Sequence, residues 1–324
     1  MTLSHLVNII ESRRGRPHLV IVIGKGGVGK TTVSIMLADL LSKKGKTLIV
    51  SLDQAKHLLK YLSLPKPHKE YRIDTNLYAM QFDLENEASK FTGEYSRLLK
   101  QIMPGLKVLN IENAADTIRN SPGFEEEIYL RYLEDLYKKD YEYIVVDTPP
   151  TGVTLRILSL PRNYMFWITS LIDLRSKIVS LKYSISRVMG EKIEPKDPVL
   201  DKLYELEERY KVLSERLADS DKTSYVLVAT PEPLPVYEVE KTLEQLKNLG
   251  ASVTGIVVNR IIDRNLATKL GIEKVQDESI KRILGIRCIG ECVKIGIRMA
   301  KNPPDTLEKA REALVGSFPL TDTY

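Results

Sequence analysis

Gly24, Gly29, Lys30 and Thr31 stand at the spacing G-x-x-x-x-G-K-[ST], a pattern that wraps backbone amides around phosphates. The full run is Gly24, Lys25, Gly26, Gly27, Val28, Gly29, Lys30, Thr31 and Thr32. Glycine dominates it because N–H groups that turn inward around phosphates tolerate few β-carbons. Lys30 would reach the β and γ phosphates of ATP, and the Thr31 hydroxyl would ligate Mg²⁺. Two aspartates extend this chemistry. Asp53, within SLDQAKH at Ser51 to His57, could orient or deprotonate an attacking water. It could equally cap the helix that follows. Asp147 ends the apolar part of VVDTPPTG and is expected to hold Mg²⁺ through water. The residues after it, Thr148 to Gly152, suit a loop that rearranges when the γ phosphate leaves.

Such residues need rigid elements beneath them. Apolar runs of strand length recur at His18 to Ile23, Lys46 to Ser51, Leu77 to Phe82, Tyr143 to Val146, Tyr225 to Ala229 and Gly255 to Val258. They are rich in Val and Ile and bounded by Gly, Asp, Asn or Pro, the pattern of buried parallel strands joined by helices. The fold class is therefore α/β, a P-loop NTPase with a mostly parallel sheet flanked by helices. The phosphate loop falls between the first strand and a helix that starts at Thr31, with Gly45 positioned to end it. Asp53 follows a strand, at the end where open α/β sheets bind ligands.

Two regions break the alternation, roughly 85–103 and 164–220, and predict an inserted α-helical subdomain within a single domain spanning 1–324. In the second, Leu171, Leu174, Ile178, Leu181, Ile185 and Val188 follow three-four spacing. After a turn at Pro195 to Pro198, Leu203, Leu206, Tyr210, Leu213 and Leu217 repeat it, which predicts a helical hairpin with apolar seams. The first seventeen residues read as a docking helix.

Composition narrows the function. The 48 basic and 43 acidic residues are spread along the chain, and no basic block marks a nucleic-acid surface, so no nucleic-acid partner is expected. Two cysteines, Cys288 and Cys292, predict no disulfide framework and a cytoplasmic setting. The apolar stretch Tyr164 to Met189 is interrupted by Asp173, Arg175, Lys177 and Lys182, which excludes a simple membrane span.

Lys25 adds a second feature to the loop. KGGVGKT resembles the deviant phosphate loop of the class that includes plasmid-partition, cell-division-site, nitrogenase-iron-protein and arsenite-pump ATPases. The resemblance implies a homodimer in which this lysine crosses to the partner's nucleotide. DTPPTGVTLRILSLP at Asp147 to Pro161 is similar to switch II of the ArsA family, which comprises arsenite-pump ATPases and targeting factors for tail-anchored membrane proteins. NLYAMQFD at Asn76, SPGFEEE at Ser121, VATPEPLPVYE at Val228 and GIVVNR at Gly255 also resemble that family, in its order. By this resemblance Asn259 recognises adenine, and Pro231 and Glu232 belong to the loop lining base and ribose. Departures stand beside it: Gln54, Lys56 and His57 in switch I, Val153 where histidine is common, and CxxxC where the targeting factors carry a zinc-sharing CxxC.

The resemblance implies an ATP-gated dimer that captures a hydrophobic transmembrane segment or another membrane-associated client. Met165, Phe166, Trp167 and Leu171 are the candidate client groove, on a helix that Tyr164 to Ile168 would open. Methionine and aromatics suit an adaptable groove. The same residues could instead pack the subdomain core. Two other functions fit the motifs, the ATPase subunit of an arsenite or anion pump and a partition-type switch ATPase. The pump reading lacks a thiol triad and a second fused nucleotide half. The partition reading lacks a basic C-terminal anchor, because LEKAREALVGSF is near neutral.

Overall fold

Valine and isoleucine fill the strands because both faces of each central strand are covered. The computed structural model describes residues 2–102, 119, 121–189, 197–288, 290–300 and 306–320, with backbone alone over 94–102. Nine strands form one sheet: β1 (His18–Gly24), β2 (Thr47–Ser51), β3 (Tyr71–Arg72), β4 (Leu77–Gln81), β5 (Tyr143–Asp147), β6 (Thr223–Ala229), β7 (Val253–Ile261), β8 (Val293–Arg298) and β9 (Ser317–Pro319). Their order is β3-β4-β2-β5-β1-β6-β7-β8-β9. Neighbours run parallel except β3 and β9, which pair antiparallel at the two edges. The six anticipated strands are all present, and β3, β8 and β9 join them. Two of these additions are only two or three residues long, too short for a periodic signal.

The helices are α1 (Leu3–Glu11), α2 (Lys30–Ser42), α3 (His57–Tyr61), α4 (Leu84–Ile102), α5 (Phe124–Leu136), α6 (Thr151–Met189), α7 (Pro198–Ala218), α8 (Pro233–Asn248), α9 (Arg264–Lys269), α10 (Glu273–Gly285) and α11 (Leu307–Val315). One face of the sheet buries α1, α2 and α11; the other packs against α5, α6, α7, α8 and α10. α1 docks through Leu3, Leu6, Val7, Ile9 and Ile10, all buried. No helix among the described residues is long and apolar enough to cross a membrane.

Four expectations are corrected. α2 ends at Ser42, and Gly45 is not its left-handed cap. Gly45 instead leaves room for Glu142, whose carboxylate a β-carbon there would strike. Tyr164 does not open the long helix. α6 begins at Thr151, inside switch II, and runs unbroken for 39 residues, roughly 60 Å at the rise of an α-helix.

The third correction concerns the seam. Leu171, Leu174, Ile178, Leu181, Ile185 and Val188 are exposed. Ile168 and Ile172 are the buried positions that pack in the main core with Tyr210, Leu213 and Leu217 of α7. Tyr164 meets Tyr210 ring to ring at 4.9 Å, and Arg175 binds Asp197, the N-cap of α7, at 2.8 Å. α6 therefore carries two apolar stripes side by side, and helical periodicity alone does not say which one meets the partner helix. The turn residues Pro195 and Lys196, and Met103 at the end of the first helical region, lie outside the described residues. Fourth, Cys288 and Cys292 are paired with each other between α10 and β8, where the sequence predicts no disulfide.

His18, at the start of β1, is fully buried between two partners. Its Nδ1 lies 3.0 Å from the Asp221 carbonyl, which only accepts, so Nδ1 carries the proton and Nε2 accepts from the Ser224 hydroxyl at 2.9 Å. Burial, with Arg16 and Arg13 nearby, pushes the His18 pKa down to about 4. Below pH 6.5 the unfolded chain binds a proton that the folded chain refuses, so stability present above pH 6.5 is lost as pH falls towards 4. His18→Gln keeps a donor and an acceptor without titrating. Between pH 7 and 4, urea denaturation should show the parent losing about 3 kcal/mol more than this variant. Parallel losses would refute the assignment.

Candidate functional site

The site forms where the sheet changes direction. β1 lies between β5 and β6, and the connection through α2 leads to one side while β6 lies on the other, the crevice where open α/β sheets receive ligands. β1 runs into the glycine loop, and the loop runs into the N-terminus of α2, whose free N–H groups and dipole favour phosphate. Gly27 and Gly29 adopt φ of 85° and 93°, a conformation that costs any other residue strain. At Gly29 space matters as well, because a β-carbon would overlap the Asn259 amide nitrogen. At Gly24 it would overlap the Val228 carbonyl.

Lys30 is buried, and its ammonium donates to the Lys25 carbonyl across the loop at 3.2 Å. Burial pulls its pKa down, while Asp147, Asp53 and Glu238 push it back up. An ammonium so placed holds its charge toward the loop interior. Lys25 is half-buried and lines a groove of about 710 Å³ beside the loop, with Thr151 and Leu155 from the start of α6 and Glu238 and Lys241 of α8.

Asp147 is the most constrained group in the site. Val22, Asp147, Ser51 and Gln81 stand in register on β1, β5, β2 and β4. Asp147 is fully buried; its Oδ2 accepts from the Thr31 hydroxyl at 2.8 Å and from the Ser51 hydroxyl at 2.9 Å. Its Oδ1 is buried without a partner. Burial pushes its pKa up to about 6 against the two hydroxyl bonds and Lys30. A hydroxyl, a carboxylate and an unsatisfied oxygen converging beside a phosphate loop form a donor set of hard oxygens that fits hydrated Mg²⁺.

Asp53 is partly exposed past the end of β2, and its Oδ1 accepts from the Ala55 N–H at 3.2 Å. The next residue, Gln54, donates to the Tyr129 hydroxyl of α5 at 3.1 Å. Switch II is tied down too: Thr148 donates to the Val22 carbonyl at 2.7 Å and Thr154 to the Pro149 carbonyl at 2.9 Å. Asn259 donates to the Val28 carbonyl at 2.9 Å and accepts from the Arg260 N–H at 2.9 Å, leaving one amide hydrogen free of these bonds. It lines a cavity of about 290 Å³ with Gly29, Thr32, Tyr61 and Met299. Pro231 and Glu232 sit between β6 and α8 and do not line that cavity.

The structure thus brings together Lys25, Lys30, Thr31, Asp53 and Asp147 at one end of the sheet. Met165, Phe166, Trp167 and Leu171 lie farther along α6. Ser51, Gln81 and Glu238 stand inside the quoted motifs, but sequence reasoning gives none of them a role. Ser51 and Gln81 are polar residues closing apolar strands, and that break in pattern is the physical signal that could have singled them out.

A parallel sheet whose first strand enters a glycine loop and then a helix, with an aspartate at the end of the neighbouring strand, defines a P-loop nucleotide hydrolase. Within that class the chain belongs to the ArsA ATPase family, whose model, described as anion-transporting ATPase, matches residues 18–285. It is 32% identical over 246 residues to a protein of Aquifex aeolicus named as an arsenical pump-driving ATPase, covering 75% of this chain and 79% of that one. It is 31% identical over 258 residues to ATPase GET3A of Arabidopsis thaliana, covering 78% and 69%. It is 32% identical over 252 residues to an ATPase ASNA1 homolog of Cryptosporidium parvum, covering 75% of this chain and 65%, under two thirds, of that one.

The contact between Gly29 and Asn259 yields a comparison. Gly27→Ala meets open space and carries only the strain of its φ, about 1–2 kcal/mol. Gly29→Ala carries similar strain and also displaces the Asn259 amide. Urea denaturation should show the larger loss for Gly29→Ala, with nucleotide binding abolished. Equal losses would mean that Asn259 does not clamp the loop.

Proposed function

We propose that this ATPase hydrolyses Mg-ATP as a homodimer and uses the nucleotide state to present an apolar helical surface to a hydrophobic membrane-protein segment. The observation that carries this reading is the continuity of α6. It starts at Thr151 beside the phosphate loop and carries, farther along, an exposed apolar stripe with Phe166 72% and Trp167 66% exposed. Apolar surface on this scale marks an interaction site. The names of the Arabidopsis and Cryptosporidium relatives say only that those proteins are ATPases.

In the reaction, a water attacks the γ phosphorus, the bond to the β–γ bridging oxygen breaks, and ADP departs with that oxygen. Asp53 leaves its turn with Ala55 to orient the water and receive its proton. Lys30 and the amides of Gly27 to Thr31 face the phosphate oxygens. Thr31 and Asp147 would hold Mg²⁺, Asp147 through water on its unpaired oxygen, and the ion bound there would supply positive charge against the β and γ phosphates. Asn259 faces the base from the 290 Å³ cavity. Pro231 and Glu232 would approach base and ribose only after the loop before α8 moves. Lys25, at the rim of its groove, reaches the partner's nucleotide and makes closure favour ATP over ADP. A ligand shifts such an equilibrium only by its differential affinity for the two states.

The signal passes through α5. Gln54 of switch I binds Tyr129; Arg156, within switch II, binds Glu126 at 3.0 Å; Glu127 accepts from Tyr210 of α7 at 3.2 Å. Both switches and the hairpin therefore meet one helix. Met165 packs against the core, so it supports the surface rather than forming it.

Two functions on one helix should separate by mutation. Replacing Phe166, Leu171 and Leu174 by serine should abolish capture of a hydrophobic helical peptide while leaving ATP turnover within about twofold, since these side chains are exposed. Asp53→Asn should do the reverse for turnover, binding ATP and losing hydrolysis. Lys25→Ala should sediment as a monomer with a non-hydrolysable ATP analogue where the parent sediments as a dimer. Full peptide capture by the serine variant, parental turnover by Asp53→Asn or a parent that stays monomeric would each overturn its part.

A further inference from the structure

Gln81 closes β4, a strand otherwise built from Leu, Tyr, Ala and Met, and it has no exposed surface. An amide in such a position must find partners or destabilise the fold. Its Nε2 donates to the Asp53 carbonyl at 2.9 Å and to the Ser51 carbonyl at 3.1 Å. These two acceptors, and the Phe82 carbonyl at a longer 3.5 Å, are all carbonyls, so only donor hydrogens serve them, and the two of the NH₂ group go to the two nearer ones. The Oε1 atom is left buried without a partner. An apolar side chain would avoid that unsatisfied oxygen, yet here the amide is retained where it grips the backbone of switch I.

The grip is placed where it matters. Ser51 is the register partner of both Gln81 and Asp147, and its hydroxyl donates to Asp147. One row therefore runs from Gln81 through Ser51 to the carboxylate beside Thr31. The backbone carbonyl of Asp53 is the last fixed point before the turn at Ala55 and the left-handed residue Lys56. Beyond Asp53, residues 54–57 are exposed. The phenol of Tyr129 holds the Gln54 side chain, and no other side chain among the hydrogen bonds described here reaches the Asp53 backbone.

We infer that Gln81 is the positioning residue of the switch I carboxylate: its amide fixes the Asp53 backbone so that the side chain turns toward the γ phosphate from a constant origin. The inference rests on Asp53 acting on the attacking water. Misplacement of a reacting group by about 1 Å can cost as much as about 100-fold in rate without weakening binding of substrate.

Gln81→Glu tests this by pH. A protonated glutamic acid keeps one donor for the carbonyls, while a glutamate has none and brings a negative charge against them. Burial raises the pKa of such a carboxyl, which moves its titration into the range where ATPase assays work. Steady-state kinetics on the full chain should give a kcat reduced about tenfold or more at pH 8, with KM within about twofold of the parent. The ratio of variant to parent kcat should climb as pH falls toward 6. Gln81→Leu, with no donor at any pH, should stay low throughout; should it fail to fold, the pH profile of Gln81→Glu decides alone. A parental kcat in Gln81→Glu, a loss that does not change with pH, or a loss expressed in KM would each overturn the inference. Asp53→Asn, run in parallel, separates the two claims. If Asp53→Asn loses turnover and Gln81→Glu does not, the positioning role fails and the role of Asp53 stands.

Discussion

The Asp147 carboxylate is wholly buried, accepts two hydroxyl hydrogens on one oxygen and leaves the other without a partner. Burying an ionised carboxylate is expensive, and two neutral hydroxyls with one nearby ammonium compensate only in part, which is why its pKa rises to about 6. Much of the site follows from this one group. It holds Thr31 at the first turn of α2, so the end of the phosphate loop is aligned with the strand ends. It also engages Ser51, which aligns β2 and with it the start of switch I. A hydrated divalent cation at the free oxygen would satisfy the acceptor and supply the missing charge. The cost of burying that oxygen and an affinity for the cation then have the same origin.

The second organising fact is that the nucleotide end and the apolar end of the molecule share a helix. α6 leaves Asp147 after four residues and runs on past Tyr164 to Met189. Its inward stripe, Ile168 and Ile172, belongs to the main core, and Arg175 pins it to the N-cap of α7. Its outward stripe, Leu171 to Val188, is exposed among the described residues. A rigid rod with one end beside the phosphate loop would move its far end by leverage, with no flexible relay needed between them. α5 braces the rod through Glu126 and ties it to switch I through Tyr129.

Much of this was legible in the sequence, for identifiable reasons. The central strands announce themselves because burial on both faces demands unbroken Val and Ile. The phosphate loop announces itself because Gly27, Gly29 and Lys30 have few substitutes. What stayed hidden depends on three-dimensional partners. Gln81 reads as one polar residue at a strand end, and its meaning appears only when β4 pairs with β2. The stripe from Leu171 to Val188 reads as a seam, because periodicity reports a face and not its neighbour. Gly45 reads as a helix stop, although what lies against it is the Glu142 carboxylate, nearly a hundred residues on. Pro149, Pro150 and Pro161 are residues that commonly break helices, yet α6 begins just after the first two and absorbs the third.

Trp167, the chain's one tryptophan, lies on the outward side of α6 with its ring against Phe166 at 6.3 Å between centroids. It reports directly on whether phosphate contacts reach the apolar surface. Its emission maximum and its quenching by acrylamide can be compared at saturating ADP and at a saturating non-hydrolysable ATP analogue, each with Mg²⁺. A different quenching constant in the two states is the result required if α6 transmits the nucleotide state. Identical emission and quenching, with both nucleotides shown to be bound, would contradict that coupling.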